Sequence, residues 1–303
     1  LGVAELDALV KAAGDAVLAG ASDGDAERHA ESDGDEADIE PRGVDSAAAD
    51  AAADSRPGMV YELGPHRLVC GDATDPKSWA LLMGGERPPC MVTDPPYGMS
   101  YKGRVFGVDG LSNDGDGEFA EVLRLAMTCA RDALSTDALA AVCFGTSRLD
   151  RYFGAFSGIG LNFHRILTIY KPNRQAYPWR GWILTSEVIG LWSVGGPAWP
   201  EAERHCHDVY TFDYSERPDR EIDHPTVKPL SIIVDLVRKL SAPGAHVADP
   251  FAGSGTTLIA CAESGRVARV IELAPRYCDV IRRRWTRFAR EAGVDPGPGA
   301  LDP

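Results

Sequence analysis

The chain has 303 residues, enough for one large domain with appendages, and its 44% hydrophobic content with ordinary glycine and proline levels reads as soluble and globular. No apolar run is long enough to span a bilayer and no basic-then-apolar leader opens the chain, so the composition argues against a membrane protein and for the cytoplasm. The net charge of -14 excludes a uniformly basic nucleic-acid binder, but residues 1–57 hold 15 Asp/Glu against 4 Lys/Arg and the rest 30 against 27, leaving a near-neutral body that can carry a local basic face.

Residues 1–20 have helix-like apolar spacing at Leu6, Leu9, Val10 and Val17, and the first residue is not Met, which fits a piece of something longer. From 21 to 57 the chain is Ala, Asp, Glu, Ser and Gly with hardly a large apolar group; it cannot offset its ordering entropy and reads as a disordered acidic linker. The folded body is expected from 58 to 295, with 296–303 as a tail. Residues 67–72 read as a strand ending in Gly71-Asp72, and Asp75-Pro76 has the N-cap and N1 chemistry of a helix running to Gly84-Gly85. Cys90-Met91-Val92-Thr93 reads as a buried strand that runs out into Asp94-Pro95-Pro96-Tyr97. A glycine-rich stretch with Tyr101, Lys102 and Arg104 follows to residue 117, then a helix over 118–134 and a strand over 138–144, after which Thr146 or Ser147 can cap another helix.

From 162 to 213 the texture is β-rich, with strands expected at 165–170 and 182–184. Between them Lys171, Arg174, Tyr177, Trp179 and Arg180 mix cations with aromatics, which suits phosphate contact with base stacking and equally a half-buried strand pair. The last third predicts a helix over 230–240, a strand over 245–249, a glycine-bearing loop, a helix over 256–264 ended by Gly265, a strand over 267–272 and a helix from Pro275 to residue 292. That last helix carries Arg282, Arg283, Arg284, Arg287 and Arg290, either a solvated face or a DNA contact. The seven cysteines are an odd number without a C-x-x-C pair, neither a disulfide framework nor a zinc site, and no metal is expected.

Two stretches carry chemistry. Two prolines fix the backbone after Asp94 in an extended, donor-free path, so an acid, an exposed carbonyl and an aromatic ring project together from one strand end. The trio suits a planar base: carboxylate and carbonyl accept the two hydrogens of an exocyclic amine and the ring stacks on its face. Downstream, strand, Asp249-Pro250-Phe251-Ala252-Gly253-Ser254-Gly255, helix, strand and Glu272 form a nucleoside-binding βαβ half, in which the glycines admit close backbone approach and Glu272 can take ribose hydroxyls. The third glycine of a dinucleotide fingerprint is missing.

Together the two stretches resemble the amino-methylating DNA methyltransferases. Asp94 lies 155 residues before Asp249, and a Thr-x-Lys-Pro segment, Thr226 to Pro229, precedes the cofactor strand, so the chain is similar to the circularly permuted beta group. The resemblance covers about 59–293 and is weakest over 145–215; a variable target-recognition insertion is placed at about 162–222. It implies an α/β fold, a doubly wound, Rossmann-like mixed sheet, with S-adenosyl-L-methionine as cofactor and double-stranded DNA as partner. Asp249 would face the cofactor's methionine amino group, Phe251 its adenosine side, Asp72 with Ala73 its adenine, and Thr226 and Lys228 its carboxylate, with Asp94 also counted among the cofactor-binding residues. Asp94, Pro95, Pro96 and Tyr97 would hold a flipped base, and the initial Asp points to adenine N6, with cytosine N4 as the alternative and an inactive DNA-binding relict of the fold as a reading of another class. The resemblance leaves room for a homodimer, a cognate restriction nuclease in a bacterial or phage restriction-modification setting, and an upstream ParB-like domain whose spacer the acidic linker resembles.

Overall fold

The structure, a computed structural model, describes residues 50–96, 115–146, 149–172, 182–197, 199–200, 207–213 and 228–302. All of these except Trp182 and Ile183 belong to one unit. Its elements in chain order are β1 (Val60–Leu63), β2 (His66–Cys70), α1 (Pro76–Met83), β3 (Cys90–Thr93), α2 (Gly115–Ala133), β4 (Leu139–Phe144), α3 (Leu149–Phe156), β5 (Leu161–Tyr170), β6 (Ser186–Val194), β7 (Val209–Thr211), α4 (Leu230–Leu240), β8 (His246–Asp249), α5 (Thr256–Glu263), β9 (Val267–Glu272) and α6 (Pro275–Ala292).

The strands form a single nine-stranded mixed sheet in the order β1-β2-β9-β8-β3-β4-β6-β5-β7. Its centre, β2 through β4, is parallel throughout, while β1, and β6 against both β4 and β5, are antiparallel. Parallel strands in this position are covered on both faces, which is why β3 and β4 are buried at every residue. Alternation then sorts their side chains: Cys90, Val92 and Val247 join the core under α4, α5 and α6, and Met91, Ala140 and Ala248 the core under α1, α2 and α3.

Several helix ends follow local chemistry. Asp75 accepts the Lys77 N–H at 2.9 Å ahead of Pro76, and Gly84 closes α1 in the left-handed conformation. Pro275 opens α6 and Gly293, at φ 68°, ends it. The expected strand at 182–184 is not present: the paired ladder starts at Ser186. Trp182 and Ile183 are 76% and 55% exposed, whereas Val188, Ile189 and Trp192 are buried.

Both chain flanks are tied to α6. The Asp54 and Ser55 amides donate to the Asp279 carboxylate at 2.8 and 2.9 Å, and Arg276 pairs with Asp50 at 2.9 Å. Arg282 donates to the Gly299 carbonyl at 2.7 Å and Trp285 to that of Pro296 at 2.8 Å. Part of the basic run on this helix is therefore internal; Arg282 is only 8% exposed. Among the described residues no helix is long and apolar enough to cross a membrane.

The chain's direction through the sheet fixes where a ligand can sit. From β3 it proceeds to β4 on one side, and from β8 to β9 on the other, so β8 and β3 are neighbours whose following connections diverge. In open α/β sheets the crevice at such a reversal, outside the strand carboxyl ends, is the ligand site.

Candidate active site

Cys70, Glu272, Asp249, Thr93 and Phe144 end five consecutive parallel strands on one rim. Because β6 is antiparallel to β4, it starts on that rim, with Val188 paired to Phe144 and Glu187 one residue beyond; β5 ends there, and Lys171 follows it. The register sets Met91 beside Ala248, so Asp94 stands just past Asp249 on the adjacent strand.

A direct bond joins the two strand ends: the Thr93 hydroxyl donates to Asp249 Oδ1 at 2.7 Å. The same oxygen accepts the Phe251 amide at 3.0 Å, which starts the turn into the glycine loop. Asp249 is 3% exposed, and burial, reinforced by the Asp94 charge, pushes its carboxyl up to about 6 against the opposing hydrogen bonds of Thr257, Thr93 and the Phe251 amide. Glu272 is also buried, and its carboxyl rises to about 7. Its Oε2 accepts the Gly253 amide at 2.8 Å and its Oε1 the Ala274 amide at 2.9 Å, so the loop is pinned to β9; each oxygen keeps a second lone pair for a ligand hydroxyl.

Gly253 and Gly255 have φ of 51° and 81°, a region costly to any residue with a Cβ. Pro250, Ala252 and Ser254 are buried within the turn, Phe251 is half-buried against the α1–α3 face, and Arg284 of α6 donates to the Ser254 carbonyl at 3.1 Å. At the end of β2, Asp72 accepts from the Thr74 amide and hydroxyl at 2.7 and 2.8 Å, and the Ala73 carbonyl accepts the Trp79 indole N–H at 2.8 Å. The Gly71 amide donates to the Glu272 carbonyl at 2.9 Å, placing this turn beside the glycine loop.

On the acceptor side, Asp94 and Pro96 are half-buried and Pro95 is buried. The Pro96 carbonyl accepts the Tyr152 hydroxyl at 3.1 Å; no described residue donates to the Pro95 carbonyl. Tyr152 is fully buried, stacked on Phe144 with centroids 4.9 Å apart. Lys228, expected beside the cofactor carboxylate, has its ammonium 3.0 Å from Asp94 Oδ2 and 3.4 Å from Glu187 Oε2. Lys171, expected at the DNA, is 2% exposed and ion-paired with Glu187 just past the end of β5. Tyr97, Tyr101, Lys102, Arg104, Arg174, Tyr177, Trp179, Arg180 and Thr226 lie outside the described residues.

The rim thus brings together Asp72, Ala73, Asp94, Pro95, Pro96, Lys228, the 249–255 loop and Glu272. It adds Thr93, Tyr152 and Glu187, which the sequence did not single out, and Arg284, read there only as part of a basic helix run. For Glu187 a signal existed, a lone acid opening an otherwise apolar strand; Tyr152 lies in an ordinary amphipathic helix that gives none.

The DNA methylase family model, for N6 and N4 amino methyltransferases, matches residues 89–283. YubD of Escherichia coli (strain K12), designated a methylase, is 32% identical over 189 residues, 62% of this chain and 77% of that protein. Two solved structures share the fold. The M1.HpyAVI–SAM complex aligns with a TM-score of 0.55 at 18% identity, over 72% of this chain and 97% of that one. PvuII DNA methyltransferase, cytosine-N4-specific, aligns with 0.57 at 16%, over 77% and 96%.

Proposed function

We propose, from the premise that this chain belongs to the S-adenosylmethionine-dependent DNA methylase family of the N6/N4 type, that it methylates the exocyclic N6 of an adenine turned out of double-stranded DNA. The observation that carries the reading is the Thr93–Asp249 bond: the Asp94-Pro95-Pro96 acceptor and the glycine loop occupy one rim, on adjoining strands.

The donor set fits the cofactor. A buried Asp249 carboxyl raised to about 6 is relieved by a cation, and the methionine amino group is one. Glu272, raised to about 7, is relieved by hydroxyl donors such as those of a ribose. Phe251 and the Asp72-Ala73 turn flank the adenosine end, with Thr226 toward the carboxylate; Lys228 instead has its ammonium on Asp94 and Glu187. When bound, S-adenosylmethionine supplies an electrophilic sulfonium methyl.

Asp94 and the Pro95 carbonyl accept the two N–H groups of the target amine. An adenine amine is a weak nucleophile because its lone pair is delocalised into the ring; accepting both hydrogens draws the nitrogen toward tetrahedral geometry and aims the pair across the rim. Among the described residues none donates to the Pro95 carbonyl, while that of Pro96 accepts from Tyr152. The leaving group is neutral, so positioning supplies much of the acceleration, and a near-attack pose is worth about 7–11 kcal/mol. Tyr97 stacks on the extruded base, and Tyr101, Lys102, Arg104, Arg174, Tyr177, Trp179 and Arg180 serve the duplex through phosphate contact and stacking.

Adenine is favoured by the initial Asp of the tetrapeptide. Nucleoside mass spectrometry of duplex DNA treated with the chain and S-adenosylmethionine tests this: N6-methyladenine is expected, and N4-methylcytosine as the product would transfer the same mechanism to cytosine and overturn the adenine assignment.

A further inference from the structure

Glu187 has no part in the reaction as described, yet it is 2% exposed with both carboxylate oxygens closed off from solvent, at the head of a strand that continues Val188-Ile189-Gly190-Leu191-Trp192. Its Oε1 is ion-paired with Lys171, its Oε2 lies 3.4 Å from the Lys228 ammonium, and that ammonium lies 3.0 Å from Asp94 Oδ2. Four charges alternating in sign, Lys171, Glu187, Lys228 and Asp94, therefore run along the rim and end on the carboxylate that accepts the amine.

Stability does not account for this line. Buried ion pairs lose so much hydration that apolar residues of the same shape often hold a fold as well or better. Geometry does account for it. A lysine ammonium sits on a flexible four-carbon stem, and a single pairing to half-buried Asp94 would leave it many rotamers. A second anion behind it removes that freedom, and Lys171 neutralises that anion so that it adds no net repulsion toward Asp94. Lys171, Glu187 and Asp94 flank the ends of β5, β6 and β3, and Lys228 precedes α4, so the arrangement rests on the sheet.

We infer that Glu187 is a positioning residue for methyl transfer: by fixing Lys228 it holds the Asp94 carboxylate in the orientation that accepts the N–H of the target amine. This rests on the role of Asp94 given above.

The test is single-turnover methyl transfer to duplex DNA by the full chain carrying Glu187→Gln, and by the double variant Lys171→Met with Glu187→Gln, which removes one charge of each sign and carries the test if the single variant fails to fold. Both should transfer about 10- to 100-fold more slowly, a cost typical of small misplacement, with cofactor and DNA affinities at wild-type values. In an Asp94→Asn background, where Lys228 has no carboxylate to orient, adding Glu187→Gln should change the residual rate by less than about twofold. A wild-type rate in the double variant, or an equal loss in the Asp94→Asn background, overturns the inference while leaving the role of Asp94 in place. A full rate in Asp94→Asn alone removes the reading of Asp94, and this inference with it.

Discussion

The proline pair after β3 offers two carbonyls and no amide donor, and the protein uses them differently. Tyr152 engages that of Pro96, and among the described residues none donates to that of Pro95. Tyr152→Phe keeps the stacking on Phe144 and deletes the bond to the Pro96 carbonyl, a loss of about 1 kcal/mol in stability. If that bond sets the direction of the Pro95 carbonyl, turnover should fall about tenfold with cofactor affinity unchanged; wild-type turnover at saturating DNA would show the bond to be structural only. Glu272 gives a pH dependence of definite sign. Its carboxyl rises from the ordinary 4.5 to about 7, so the folded protein without ligand takes up a proton between those values and this group's contribution to stability declines as pH rises through the window. Donation from ribose hydroxyls favours the ionised form, so cofactor affinity should strengthen from about pH 5.5 to about pH 8. Calorimetric titration across that range checks it, and Glu272→Gln should weaken the affinity and flatten the slope.

Among the elements, α5 depends most on a single residue. Gly255 precedes it at φ 81°, and a Cβ there would meet Ile281 of α6 at 3.1–3.2 Å. Gly255→Ala should cost about 1–2 kcal/mol from the left-handed backbone alone, seen as a lower urea midpoint, together with weaker cofactor binding. Elements bounded by such residues were legible in advance: Asp75-Pro76, Gly84, Pro275 and Gly293 announce where α1 and α6 begin and end. The site was legible where its parts are contiguous, as in 94–96 and 249–255, because strand, turn and helix chemistry there is local. What was not legible depends on neighbours in space. Trp182-Ile183-Leu184 has strand-like residues, of which Trp182 and Ile183 stay exposed, and the β6 ladder starts later. For Lys171 phosphate contact and a half-buried strand pair stayed equally open, because nothing near it in sequence reveals its ion pair with Glu187. Thr93, Tyr152 and Glu187 enter the site only when separate elements close on one rim.

At the scale of the whole molecule, α6 is a spine to which both flanks are fastened. A chain beginning at residue 50 keeps the bonds from Asp54 and Ser55 to Asp279. One beginning at residue 58 leaves Asp279 and Arg282 buried without them, a loss of about 1–3 kcal/mol, or about 2–4 °C in Tm per kcal/mol. Equal melting temperatures for the two would show that the strap adds nothing. The sheet meanwhile makes one ligand rim from two distant stretches of chain, so cofactor binding should persist without the acceptor carboxylate while methyl transfer should not. The most direct measurement is transfer of a labelled methyl group to duplex DNA by wild type and Asp94→Ala, alongside the thermal shift each shows with S-adenosylmethionine. The account predicts the same shift in both and a loss of about 10²–10³-fold or more in label for the variant; label at the wild-type rate from Asp94→Ala, or no shift in the wild type, would contradict it.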